Sequence, residues 1–265
     1  MLIQQEKTDL FSLLRPIKQP KIWAYLAWVD TVNQYRRTLL GPLWILLSLI
    51  IFVLAVGSVY SGLFSVEYFD YITFMAAGMI AWNWSSAILI GSGTIYSSNA
   101  GLILDYPVNK PYLIWSHTMG QMIIFLHQLP LFIIIYLLGG IQVNINMLYI
   151  IPSICIIFAI NIGVAAALSI LVVRYRDLNK ILTSLIVVIM IVTPIFWKPE
   201  MVTGMRALVY YLNPFYYIVE IIRNPLLGLE PKLFHYVVSS IIALASLLVG
   251  AFAHKRYSKY VVFWV

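Results

Sequence analysis

Long apolar runs, separated by short polar or charged breaks, dominate this chain. The clearest run follows Tyr35–Trp44, YRRTLLGPLW, and Leu39–Phe64 contains no Lys, Arg, Asp or Glu. A helix rising about 1.5 Å per residue over that length crosses a hydrocarbon core of roughly 30 Å with room to tilt. The pattern predicts six spans, at Leu39–Phe64, Tyr71–Gly91, Pro111–Leu138, Leu148–Val173, Asn179–Trp197 and Leu233–Ala253. Gly139–Asn146 is a polar turn that divides the uncharged stretch from Pro111 to Val173. The expected fold class is an all-α polytopic membrane protein.

Two regions depart from the span pattern. Pro16 and Pro20 break the N-terminal residues into a short piece, Thr8–Leu14, and a longer one, Lys21–Arg37. In the longer piece Ile22, Leu26, Val29 and Val32 recur at helical spacing, with Trp23, Tyr25 and Trp28 among them and Lys21 and Asp30 keeping part of it polar. That suits an amphipathic helix lying in the membrane interface. Residues 1–37 therefore read as a cytoplasmic or interfacial segment, and 38–265 as the transmembrane domain. The other departure, Pro199–Pro231, is too apolar for an ordinary loop and too broken for a span. Asn213-Pro214 divides it, because proline disfavours helix in the residue before it. The expectation is a re-entrant helical hairpin in the outer leaflet, about 199–231, with Glu220 and Arg223 paired on one helical face. Non-helical backbone at its tip requires cover by protein or water.

Composition agrees: 62% of residues are hydrophobic and 10% charged, against roughly 25% charged in a soluble domain. The formal net charge of +7 suggests anionic partners. Because the charge sits at the ends of apolar runs, membrane orientation and acidic headgroups explain it better than nucleic acid. Segments assigned to the cytoplasm hold Lys7, Arg15, Lys18, Lys21, Arg36, Arg37, Lys110, Arg174, Arg176, Lys180, Lys255, Arg256 and Lys259, 13 of the 17 basic residues. Lys198, Arg206, Arg223 and Lys232 remain outside. Both termini are expected in the cytoplasm. Cys155 is the lone cysteine and reads as a packing residue. Met1–Gln34 lacks the apolar core and cleavage site of a secretory signal.

Chemistry-bearing motifs are sparse. No lysine follows a glycine, so a G-x-x-x-x-G-K-[ST] nucleotide loop does not occur. Gly91-Ser92-Gly93 reads as a helix end. His117 and His127 do not share a helical face, so no metal pair is expected. No Asp or Glu lies within a predicted span, which argues against a membrane-embedded transferase. Aromatic residues say more: Tyr210, Tyr211, Phe215, Tyr216 and Tyr217 cluster in the hairpin, near Phe196 and Trp197 in sequence. They read either as an interfacial belt or as a stacking surface for sugar rings. Arg15, Lys18, Lys21, Arg36 and Arg37 read either as orientation signals or as a site for a lipid-linked pyrophosphate. Two cytoplasmic segments, TIYSSNAGLILDYPVNK at 94–110 and RYRDLNK at 174–180, read as solvated loops or as surfaces that receive force from a partner.

Four motifs in order carry a resemblance: YRRTLLGPLW entering the first span, RYRDLNK after the fourth, TPIFW ending the fifth and LNPFYYIVEIIRNPLL before the sixth. Over nearly its whole length the chain resembles the permease subunits of ABC-2-type polysaccharide exporters, those of O-antigen, capsular polysaccharide and teichoic acid. The resemblance implies a type V exporter-like fold and a homodimer, with each permease docked on a separate ABC ATPase subunit, two copies in all. It implies that ATP and Mg belong to that partner, with no cofactor and no catalytic residue in this chain. It places an interface helix at about 21–37 and an ATPase-coupling helix within about 97–108, including Ser97, Asn99, Leu102, Asp105, Tyr106 and Pro107. Arg176 and Asp177 match a structural Arg-Asp pair, and the hairpin matches outer re-entrant helices that cap the exit. The GPLW form is closer to permeases of capsule and lipopolysaccharide biosynthesis than to teichoic acid ones. The function implied is export of a lipid-linked polysaccharide across the bacterial inner membrane through a channel between the two permeases. Teichoic acid or a small amphipathic drug or lipid is the alternative cargo.

Overall fold

The computed structural model describes residues 11–106, 108–139 and 143–265, and every regular element among them is helical. In chain order they are α1 (Pro20–Tyr35), α2 (Leu43–Phe64), α3 (Tyr68–Gly91), α4 (Ala100–Asp105), α5 (Lys110–Gln128) and α6 (Pro130–Gly139). Then follow α7 (Ile150–Arg174), α8 (Asp177–Val192), α9 (Leu208–Tyr211), α10 (Pro214–Leu226), α11 (Leu233–Tyr257) and α12 (Val261–Trp264).

Five stretches are long and apolar enough to cross a bilayer: Leu43–Phe64, Tyr68–Thr94, Lys110–Leu138, Ile145–Arg174 and Leu233–Trp264. The third joins α5 to α6 at Leu129, where Pro130 interrupts the hydrogen-bond ladder. The first begins at Leu43 rather than Leu39, because the intervening turn is not helical. Arg37 and Gly41 both take left-handed backbone there, at φ 66° and 54°, a region glycine enters freely and arginine seldom does. The segment expected to form the fifth span differs more. Thr193 precedes Pro194 and is extended (φ −78°, ψ 134°), which ends α8 at Val192 after 16 residues. At about 24 Å, α8 is shorter than the hydrocarbon core.

The short N-terminal piece also differs. Its described part is a 3-10 helix, Ser12–Lys18, with Pro16 inside it rather than dividing it. Thr8 to Leu10 lie outside the described residues.

α3 and α7 are the most enclosed spans, while α2 and α11 turn most of their surface outward. One apolar cluster joins α3, α7 and α10 through Met75, Ile80, Ile157 and Ile221. A second gathers Leu13, Trp115, Ile170 and Val261, so both described ends of the chain close on the same side. α7 and α11 cross at Gly163 and Gly250, where a Cβ on Gly163 would lie 2.5 Å from Ser246 O and Leu247 N. Small residues permit that backbone approach, a usual device between helices in lipid.

Candidate functional site

The hairpin region is built from Asn213 outward. Its Oδ1 accepts the Phe215 N–H at 3.0 Å and caps α10, and Pro214 supplies the φ that a first helical position favours. Its Nδ2 donates to Thr193 Oγ1 at 2.8 Å, so one side chain also clamps α10 to the bend after α8. The break predicted at Asn213-Pro214 is present, but its first limb is only a 3-10 turn, Gly204–Ala207, and the four-residue α9.

α10 is buried from Tyr216 to Leu226. Carbonyls in and just past its C-terminal half, where Pro225 brings no N–H to Ile221 O, find side-chain partners. Ser153 donates to Ile221 O at 2.5 Å, Tyr136 donates to Leu226 O, and Asn144 donates to Gly228 O at 2.7 Å. Protein thus covers the interrupted backbone, as a low-dielectric setting demands. In the sequence Asn144 reads only as part of a polar turn; its partner Gly228 lies 84 residues away along the chain.

Glu220 and Arg223 form the ion pair their spacing allows, at 2.5 Å. Arg223 is 1% exposed. Its second terminal nitrogen donates to Pro194 O at 2.6 Å, and its guanidinium lies 4.0 Å from the centre of the Phe74 ring. It also fills the space beside Gly78, where a Cβ would lie 3.2 Å from Cζ. One cation therefore ties α10, α3 and the TPIFW bend together. A cavity of about 600 Å³ opens beside this pair, walled by Phe69, Phe74, Tyr216, Lys198, Glu200 and Glu230. It combines ring faces with hydrogen-bonding groups of both charges.

The seven aromatic candidates separate into three places. Trp197, Tyr210, Tyr211, Tyr216 and Tyr217 pack together, with Tyr210 and Tyr216 centred 5.1 Å apart, and His235 of α11 joins them. Phe215 turns inward onto Trp82 at 5.4 Å, and Phe196 packs against Tyr60 of α2 at 6.0 Å. Tyr210, Tyr216 and Tyr217 are buried against one another, whereas Tyr211 is 48% exposed. A hydrogen bond with Tyr211, then burial, pushes the Tyr210 hydroxyl up to about 12. Burial first, then Glu220, raises Tyr216 as well, so these phenols stay neutral at physiological pH.

At the opposite side, α4 is pinned by buried Ile103 and turns Leu102, Leu104, Asp105 and Tyr106 outward. Leu104 is 56% and Tyr106 64% exposed, an apolar patch at the C-terminal end of this six-residue helix. Ser97 is exposed beside it, and Asn99 donates to Ile95 O at 2.8 Å rather than capping α4. Pro107 lies outside the described residues. Arg176 and Asp177 are exposed, and neither forms an ion pair among the described residues. Asp177 sits in the first turn of α8, where the helix dipole favours a carboxylate. Gly91-Ser92-Gly93 is the end of α3, as its sequence suggests.

The basic arm is held to α5. Trp115 donates to Leu13 O and Trp23 to Pro16 O, both at 2.9 Å, Tyr112 donates to Gln19 at 2.9 Å, and the two indoles lie 5.2 Å apart. α1 packs through Ala27 and Thr31, leaving Ile22 and Val32 exposed. The apolar stripe that marks α1 in the sequence is thus not its buried face: Leu26 and Val29 are half-buried, and the fully buried positions are the smaller Ala27 and Thr31. The five cations do not converge. Lys21 lies in the first turn of α1, Lys18 ends the 3-10 helix before it, Arg15 lies half-buried within that 3-10 helix, and Arg36 and Arg37 are exposed past the other end of α1. Fifteen residues of helix place the two groups about 22 Å apart, too far to grip one pyrophosphate.

The family model described as ABC-2 type transporter matches residues 22–227, from the start of α1 to just past α10. Two Klebsiella pneumoniae proteins, each named O-antigen export system permease protein RfbA, are similar to this chain. One is 23% identical over 186 residues, covering 70% of this chain and 72% of the relative. The other is 22% identical over 225 residues, covering 83% and 87%.

Proposed function

This chain belongs to the ABC-2 type transporter family, and on that premise we propose that it is the membrane half of an ATP-driven exporter of a lipid-linked polysaccharide. The cargo is O-antigen or capsular polysaccharide, and the direction is outward across the bacterial inner membrane. The observation that carries the cargo class is the similarity over 83% of the chain to a permease named for O-antigen export. Catalysis of ATP hydrolysis belongs to a separate ABC ATPase, two copies of which serve a permease homodimer. In this reading α8 completes six crossings, the short helix extended by the TPIFW bend, and both termini face the cytoplasm. Thirteen of 17 basic residues then lie inside.

The outward apolar faces of α2 and α8, with Phe52, Leu185 and Ile191 exposed, supply the homodimer surface and the channel wall. α9 and α10 dip back from the outer surface, and Tyr211 and Trp197 offer ring faces to the sugar chain. Each stacking contact is weak, about 0.5–1.5 kcal/mol by analogy with aromatic pairs, so a polymer slides rather than sticks.

The ATPase docks on α4. The variant Leu104→Glu with Tyr106→Ala is expected to weaken ATPase co-purification by about tenfold or more, in line with loss of a buried apolar anchor. Its melting temperature in detergent stays at the wild-type value, since both residues are exposed. A wild-type chain that captures no co-expressed ATPase contradicts the reading.

Arg36 and Arg37 stand at the α1–α2 turn and are proposed to meet the lipid pyrophosphate there as well as to anchor the helix. Replacing both by Glu is expected to abolish export while cysteine-accessibility mapping shows unchanged topology. Export preserved with topology intact removes the pyrophosphate role.

A further inference from the structure

A second cleft, of about 540 Å³, lies between the ends of α7 and α11 that are remote from the hairpin. Arg174 is 21 residues along α7 from Ser153, the residue that touches α10; that is about 31 Å of helix. The walls are Arg174, Arg256, Tyr175, Tyr257, Tyr260 and Trp264, with no carboxylate among them. The Arg174 guanidinium lies 4.8 Å from the centre of the Trp264 ring and 5.7 Å from that of Tyr175. Arg256 lies 5.7 Å from the Tyr257 ring. Neither arginine forms an ion pair among the described residues. Trp264 is positioned by packing, because Val261 of the same short helix is fully buried among Ile170 and Val173 of α7.

We propose that this cleft binds the phosphate headgroup of an anionic phospholipid. Two guanidinium forks from neighbouring helices match the oxygens of one phosphate. Basic pockets between spanning helices at a membrane surface suit acidic headgroups, and the four rings belong at headgroup depth. A volume of about 300–1,000 Å³ is usual for small-molecule sites, and a phosphate with its glycerol fits within it. The occupant is a lipid rather than a free anion because the rim is apolar. Leu171 is 44% exposed in the cleft wall, and Phe252, one turn from Arg256, is 62% exposed beyond it, giving an acyl chain a path into the bilayer. The bound lipid bridges α7 to α11 and fastens the C-terminal helix α12 over the cleft. Binding requires only that this end of the bundle meet a membrane surface, so it stands apart from the cargo and from the ATPase.

The test uses full-length protein in nanodiscs of phosphatidylcholine with or without phosphatidylglycerol, read by native mass spectrometry after mild detergent release. Phosphatidylglycerol should be retained in preference to phosphatidylcholine. The variant Arg174→Gln/Arg256→Gln should retain about tenfold less, the loss expected on removing two charge-assisted contacts. Arg256→Gln alone touches only an exposed side chain and should give a smaller loss in the same direction. Equal retention of the two lipids by the wild type overturns the proposal without reference to any variant. So does undiminished phosphatidylglycerol on a monodisperse double variant, or displacement of the lipid by inorganic phosphate at equal concentration.

Discussion

Arg223→Met is expected to destabilise the protein by about 3–5 kcal/mol, the range found when one partner of a buried ion pair is removed. Methionine roughly fills the volume but leaves Glu220, itself buried, without its counter-charge. It also leaves Pro194 O without the donor that holds the bend after α8. Arg223→Lys should not restore stability, because an ammonium cannot reach Glu220 and Pro194 O together from the face of Phe74 as a planar fork does. Removing both charges, Glu220→Gln with Arg223→Met, should cost less than Arg223→Met alone. A thermal melt in detergent reads all three variants. A melting temperature for Arg223→Met within experimental error of the wild type contradicts this role.

Gly163→Val should be comparably severe, by a different mechanism. The obstacles to a new Cβ are backbone atoms, Ser246 O and Leu247 N at 2.5 Å, with the Gly163 carbonyl in turn packed against Gly250. A side chain that meets a flexible neighbour is accommodated, but one that meets backbone forces the helices apart. Overpacking typically costs about 1–3 kcal/mol and more where nothing can yield, so the upper end or beyond is expected here. Separation of α7 from α11 would also uncover α10, which both helices enclose. Size-exclusion profiles should show loss of the monodisperse species. Gly62→Ala serves as the contrast, since nothing lies within 4 Å of a Cβ there, and it should behave as the wild type.

Much of the fold is legible in the sequence because hydrocarbon imposes one rule on every residue of a span. Five predicted spans correspond to helices of sufficient length, and Leu233 opens both the predicted and the observed last span. The misplacements occur where backbone chemistry overrides hydropathy. Apolar character continues through Thr193-Pro194, but the helix does not, and apolar character begins at Leu39 before the left-handed turn has finished. The Glu220–Arg223 pair was legible from spacing alone. Its partners, Pro194 O and Phe74, were not, because they lie far away in sequence. The same holds for the aromatic cluster: local density in the chain is visible, but not that Phe196 and Phe215 face α2 and α3 instead. The basic arm is a further case: its cations are near one another in sequence, and one continuous helix separates Lys21 from Arg36.

We propose that this ABC-2 family chain moves a polysaccharide outward with energy from a separate ATPase. The most direct measurement is the location of the polymer in cells lacking the gene, by immunolabelling of intact and permeabilised cells. Polymer confined to the cytoplasm, returned to the surface by the wild-type gene only when the partner ATPase is active, is the predicted result. Normal surface polymer in the deletion strain, or restoration with an ATPase unable to hydrolyse ATP, would contradict the account.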